Sequence, residues 1–254
     1  ILYLENLGVK KIYINTHHCA DLVKNFIHNL KTKSEVVLLY EDVLLGSGGC
    51  IHNLTGQKNV DYASPLLLVN GDQFLFLSEE KLAVGADHLK RSKVHLFCIP
   101  FEGSEYNQVV LENSYLRAIN KNADPSHPRI TFSGVSILDL GKIERHDGVS
   151  SFFETVADFR KDQRGTSASL ASTDDYIDFG TLERFVESHL LAYSPSWQKQ
   201  HQSISTFFNL KTVAADYYSS KILDEDFILS LKQGEAEICF RDIRAQVKIP
   251  VFPS

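Results

Sequence analysis

Apolar residues in the first hundred positions fall into short, nearly uninterrupted runs separated by amphipathic stretches. Lys10-Lys11-Ile12-Tyr13-Ile14-Asn15 is a β-type run, and the CADLVKNFIHNL that follows places Leu22, Val23, Phe26, Ile27 and Leu30 at helical spacing. Glu35–Tyr40 (EVVLLY) is the next strand. A Gly-rich loop then leads to Leu66–Asp72 (LLLVNGD), which reads as a buried strand ending in a carboxylate. Ser78–Arg91 has the length and composition of a helix, and Val94–Pro100 (VHLFCIP) is another buried strand. Continuous runs of this kind suit parallel strands covered by helices on both faces. The βαβαβαβ order predicts a right-handed, Rossmann-like α/β unit with a mostly parallel sheet.

Beyond Pro100 the pattern changes. Val109–Glu112, Tyr115–Asn120 and Ile130–Ile137 (ITFSGVSI) predict a small antiparallel addition to the sheet. Ser151–Lys161 predicts a helix, Ser167–Ala171 and Tyr176–Phe179 short strands, and Leu182–Leu191 a further helix. Ser194–Trp197 reads as a loop, after which only a weak helical pattern (Ile222–Leu231) and one strand-like run (Glu237–Phe240) stand out. The division expected is a domain over 1–190 and a C-terminal extension over 191–254.

With 254 residues, 43% of them apolar, the chain can bury a sizeable core. A formal charge of −6, without blocks of like charge, excludes the electrostatic footprint of a nucleic-acid-polymer binder. No apolar run approaches the roughly 18 residues of a membrane span, and no signal peptide is recognisable, so a cytoplasmic protein is expected. Cys19, Cys50, Cys98 and Cys239 form no C-x-x-C pair and read as reduced core thiols. The chain opens on Ile1 and holds no methionine. It is therefore read as N-terminally incomplete.

Three constellations carry candidate chemistry. Asn70-Gly71-Asp72 stands where a strand runs out, the position at which open α/β sheets present residues to ligands, and Asp72 offers the hard oxygen that magnesium prefers. An Asn-Gly-Asp turn that merely caps the next helix explains the same residues. Leu45-Gly46-Ser47-Gly48-Gly49-Cys50-Ile51 is a Gly-rich turn entering a short helix, where backbone N–H groups can approach a base, a sugar or a phosphate. It is neither a Walker loop nor G-x-G-x-x-G, and a plain tight turn fits it too. In Asp175-Tyr176-Ile177-Asp178-Phe179-Gly180-Thr181, Asp178 precedes a helix start for which Thr181 is an N-cap candidate; a metal ligand and an ordinary surface carboxylate both fit. His17 and His18 point in different directions, and Asn15-Thr16 before a helix is read as capping. Spacing alone defines no Ser/His/Asp triad.

Together these segments resemble the sugar-phosphate nucleotidyltransferase family. LENLGVKKIYINTHHCADLV, EDVLLGSGGCI, LLLVNGD, RITFSGVSIL and YIDFGTLERF stand in the family's order from Leu4 to about Ser188. The spacing is most similar to compact bacterial members acting on N-acetylmuramate, mannose or glucose 1-phosphate. The resemblance implies the NTP-transferase fold and catalytic Asp72 and Asp178, both ligands of Mg2+. It further implies nucleotide contacts from Ser47, Gly48 and Gly49 with Asn70 in support, and sugar contacts from Ser133 and Gly134. The implied reaction joins a nucleoside triphosphate and a sugar 1-phosphate to give a nucleotide sugar and pyrophosphate, serving envelope polysaccharide synthesis. A homo-oligomer is compatible with it. A non-catalytic nucleotide-sugar binder is the alternative, because the family's N-terminal strand and its G-x-G-T-R and Pro-Lys phosphate grip have no counterpart here. Lys10 and Lys11 stand in a different context.

Overall fold

The computed structural model describes residues 1–102 and 106–181, Arg184, Ser188, and the strands between 211 and 248. The chain clusters into two compact units, Ile1–Tyr176 and Ile177–Ser254. The first is the α/β unit expected, with a mixed sheet. Helix α1 (Leu2–Asn6) leads into β1 (Lys11–Thr16), α2 (Ala20–Asn29), β2 (Glu35–Tyr40), α3 (Gly46–Thr55) and β3 (Leu66–Val69). Then come β4 (Gln73–Leu75), α4 (Glu79–His88), β5 (Val94–Pro100), β6 (Gln108–Glu112), β7 (Tyr115–Asn120), β8 (Ile130–Leu138) and β9 (Thr166–Leu170). Strand β10 (Tyr176–Asp178) crosses the division between the units.

The main sheet has six strands in the order β3-β8-β5-β9-β7-β6. Strands β3 and β5 both pair antiparallel with β8, while β5 pairs parallel with β9. Hence β3, β5 and β9 run in one direction, and β8 is inserted against them. Contrary to the single sheet expected, β1 and β2 form their own parallel pair. A groove of about 230 Å³, lined in part by Ile12, Tyr13, Ile51, Leu66 and Leu68, borders both β1 and β3. Strand β3 is accordingly half-buried at every position rather than buried.

Strand β5 shows why its run is uninterrupted. Val94, Leu96 and Cys98 enter one core with Ile51, Leu54, Phe152 and Val156, while Phe97 and Ile99 enter the other with Leu77, Leu89 and Ile137. Both faces are covered, so neither tolerates polar alternation. The polar exception is His95, wholly buried, whose two ring nitrogens meet Ser167 Oγ and Ser169 Oγ, each at 2.9 Å. Burial pushes its pKa down to about 4.

Three expectations change. Ser151–Lys161 holds only a π-turn, Phe152–Val156, and Asp158 takes a left-handed φ of 41°, which ends any regular helix there. Ile222–Leu231 is not helical. It is split between β12 (Tyr217–Ile222) and β13 (Glu225–Lys232) of a five-stranded antiparallel meander with β11 (Lys211–Ala214), β14 (Glu235–Phe240) and β15 (Ile243–Lys248). Ile222 pairs with Glu225, Lys232 with Glu235 and Phe240 with Ile243, so cross-strand pairing overrides the local spacing. Cys19 is exposed rather than a core thiol; Cys50 is half-buried and Cys98 buried, and all three are free. The helix read at Leu182–Leu191, apart from Arg184 and Ser188, and the loop at Ser194–Trp197 lie outside the described residues. Among the described residues no helix is long and apolar enough to cross a membrane.

Candidate functional site

The ends of three strands converge on one cleft of about 450 Å³. Asn15 is the penultimate residue of β1, Glu41 immediately follows β2, and Asn70, Gly71 and Asp72 immediately follow β3. Gly46, Ser47 and Cys50 of α3, Leu68 and Val69 of β3, Phe132 of β8, and Leu44, Ser151, Phe152 and Phe153 also line it. This is the carboxyl-end crevice where α/β sheets place their ligands.

The Asn-Gly-Asp turn is built into the sheet. Asn70 N–H donates to Gly134 O (2.9 Å), and Asn70 Nδ2 donates to Gln73 Oε1 (3.1 Å). Gly134 lies at φ +79°, where β8 shifts register against β5, and a Cβ there would collide with the Gln73 carboxamide and lie 2.8 Å from Asn70 Nδ2. Glycine at 134 thus lets the turn dock. The next element is strand β4, and α4 is capped by Ser78, whose Oγ accepts from Lys81 N (3.2 Å). The helix-cap reading of Asp72 is therefore removed. Asp72 is exposed at the cleft, and among the described residues nothing bonds to its carboxylate.

The Gly-rich segment serves packing. It forms the first turns of α3, where Gly48 and Gly49 are buried and donate to Ser150 O at 2.9 and 3.3 Å. A Cβ on Gly48 would lie 2.6 Å from Ser151 O, and one on Gly49 2.8 Å from Gly148 O. The glycines admit the backbone of a strap, 148–153, and neither is among the residues that line the cleft. Ser47 does line it. Its Oγ accepts from Phe152 N (3.0 Å) and keeps its own hydrogen to donate.

The sugar-side expectation also shifts. Ser133 is fully buried, with Oγ donating to Phe97 O (2.8 Å), and Gly134 supports the turn; it is the neighbouring Phe132, on the opposite face of β8, that reaches the cleft. Phe132 stacks on Phe152 at 5.7 Å, and Phe153 meets both edge-on.

Sequence reasoning passed over Glu41 and Asn15. Glu41 is buried, accepting from Leu45 N (3.1 Å) and Asn15 Nδ2 (3.4 Å), with no cation paired to it among the described residues. His17 Nδ1 lies 2.8 Å from Glu41 O, and α2 begins at Cys19 (φ 54°) without a side-chain cap, so Asn15 and Thr16 brace β1 instead of capping. Burial, with Glu41 adding to it, pushes the Cys50 thiol up to about 11. The signal for Glu41 and Asn15 was available: both stand at strand carboxyl ends, as Asn70 does.

Asp178 belongs to the second unit, where its carboxylate is already engaged. Oδ1 accepts from Gly180 N and Oδ2 from Arg184 Nη1, both at 2.7 Å. Thr181 Oγ1 accepts from Arg184 N (3.3 Å), as its expected capping role requires. Among the described residues no group of three or more His, Cys, Asp or Glu could hold a metal by itself. Among the described residues no Lys or Arg lines the cleft.

No family model matches the chain, and no curated protein matches it in sequence. In fold it is similar to HddC from Yersinia pseudotuberculosis, with a TM-score of 0.60 and 22% identity over 74% of this chain and 80% of that one. The same protein complexed with GMP-PN gives 0.59 and 22%, over 73% and 80%. The likeness extends to the α/β fold.

Proposed function

We propose that this chain binds a nucleoside triphosphate in the strand-end cleft and transfers its nucleotidyl group to a sugar 1-phosphate, releasing pyrophosphate. The observation that carries this is the convergence of three strand ends on a cleft that presents an unengaged carboxylate, Asp72. The fold neighbour's complex with GMP-PN supports the nucleotide, and the motif order supports the transfer.

The acceptor phosphate is already ionised, so the reaction calls for positioning and charge neutralisation and not for a general base. Asp72 fits as a magnesium ligand, since it offers exposed carboxylate oxygens and Mg2+ is commonly held by one or two carboxylates together with substrate phosphates. Asp178 is the second ligand the resemblance implies. Bound at Asp72, the ion would draw charge from the phosphate oxygens. Ser47 has a hydroxyl hydrogen to offer a ligand, and Phe132, Phe152 and Phe153 supply the apolar wall on which a ring can lie.

The test is magnesium-dependent pyrophosphate release with triphosphates and sugar 1-phosphates supplied in pairs. Wild type should release it with at least one pair, and Asp72→Asn should not; silence across the panel sinks the enzyme reading. A non-catalytic nucleotide-sugar binder is the second reading, favoured by the absence of Lys and Arg from the cleft lining among the described residues. Calorimetric binding without turnover would select it.

A further inference from the structure

The strap that walls the cleft is anchored by a histidine outside it. Strap residues 148–153 lie against the start of α3 through the Ser150 carbonyl on Gly48 N and Gly49 N, Ser150 N on Leu45 O, and Phe152 N on Ser47 Oγ. Just beyond the strap, Thr155 Oγ1 donates toward Ser150 Oγ (3.0 Å) and the Ser151 carbonyl (3.2 Å). Its remaining partner is His52 Nε2, at 2.9 Å. No acceptor faces His52 Nδ1 among the described residues, so the ring proton belongs on Nε2, where it donates to Thr155 Oγ1 and leaves the Thr155 hydrogen to the strap. The ring's Nδ1 is then a bare acceptor, buried and, among the described residues, unpartnered.

We infer that His52 is a positioning residue for the cleft: through Thr155 it fixes the strap, and a proton on its ring loosens the strap and weakens binding at the cleft wall. That proton would convert Nδ1 into a buried donor with no acceptor, which costs far more than a bare lone pair. The ring is 3% exposed. His146, with its ring 5.7 Å away, and Asp147 face it from the adjoining loop, while the π-turn carries only the solvent-exposed Glu154. Burial first and His146 second hold His52 below the usual imidazole range, against a smaller pull from Asp147. The closed strap therefore favours neutral His52, and the open strap releases it to its ordinary value. Closure is fully supported above pH ~6.5 and weakens as pH falls through that value.

The experiment is backbone hydrogen exchange, corrected for intrinsic rates, at Gly48, Gly49, Ser150 and Phe152, at roughly one pH unit above and one below the ordinary histidine value. Wild-type protection should fall at the lower pH by up to about tenfold. His52→Gln, which can still donate to Thr155 but does not titrate, should show no such fall. A flat wild type, or a glutamine variant that follows it, overturns the inference. If that variant fails to fold, nitrogen-15 histidine spectra of wild type decide. They should show the Nε2–H tautomer and a depressed titration, and an Nδ1–H ring or an ordinary titration overturns it. The binding arm, magnesium–GTP affinity across the same pH range, rests on the proposed function. Failure of GTP to bind at any pH counts against that function, and the exchange data still decide the role of His52.

Discussion

Asp72 and Asp178 were read as twin carboxylates, yet their surroundings differ. Asp72 stands exposed on a turn clamped to β8 through Asn70 and Gly134, and its own oxygens are unengaged among the described residues. Asp178 is 8% exposed and accepts from a backbone N–H and an arginine. A carboxylate held by its backbone is free to serve a ligand, whereas one held by its oxygens serves local structure first. The comparison assigns function to Asp72 on stronger physical grounds than to Asp178.

Substitutions test the contrast in order of size. Asp72→Asn should lower pyrophosphate release by at least about 100-fold, about 3 kcal/mol, with the thermal midpoint unchanged; a falling midpoint would make Asp72 structural after all. Gly134→Ala should destabilise by about 2–3 kcal/mol in denaturant titration, because alanine meets both a left-handed backbone and the Gln73 side chain. It should also disturb the cleft, since Asn70 hangs on that residue. Asp178→Asn should cost about 1–2 kcal/mol of stability, the partly exposed Arg184 limiting the loss. An unchanged midpoint would erase the difference between the two aspartates. Smallest, Glu41→Gln should speed alkylation of Cys50 by less than about tenfold, since burial is the larger cause of that thiol's high pKa; no change would show that Glu41 exerts no field on the cleft.

The strand ends were legible because a polar turn after an apolar run has few places to go in an α/β fold. The glycines were ambiguous for a physical reason: a missing Cβ admits a ligand and a neighbouring backbone equally well, and it takes the strap's position to show that a backbone packs on Gly48 and Gly49. Ser133 was named because the resemblance points to the FSG segment as a whole, and adjacent strand residues point to opposite faces, so within that segment it is Phe132 that meets the cleft. The insertion of β8 between β3 and β5 depends on pairing between residues far apart in sequence. Of the meander over 211–248 only Glu237–Phe240 was read as strand-like; Tyr217–Ile222 and Glu225–Lys232 lack strict alternation and acquire their register from one another, while the alternation of Ile243–Lys248 was passed over.

Hydrogen exchange with and without magnesium and a nucleoside triphosphate, run for GTP, UTP, TTP and ATP, tests the central claim most directly. At least one nucleotide should protect the backbone at Asn70–Asp72, at Ser47 and across Ser151–Phe153 together, and Asp72→Asn should remove that protection. Protection confined to other segments, or none with any nucleotide, would contradict the strand-end cleft as the nucleotide site.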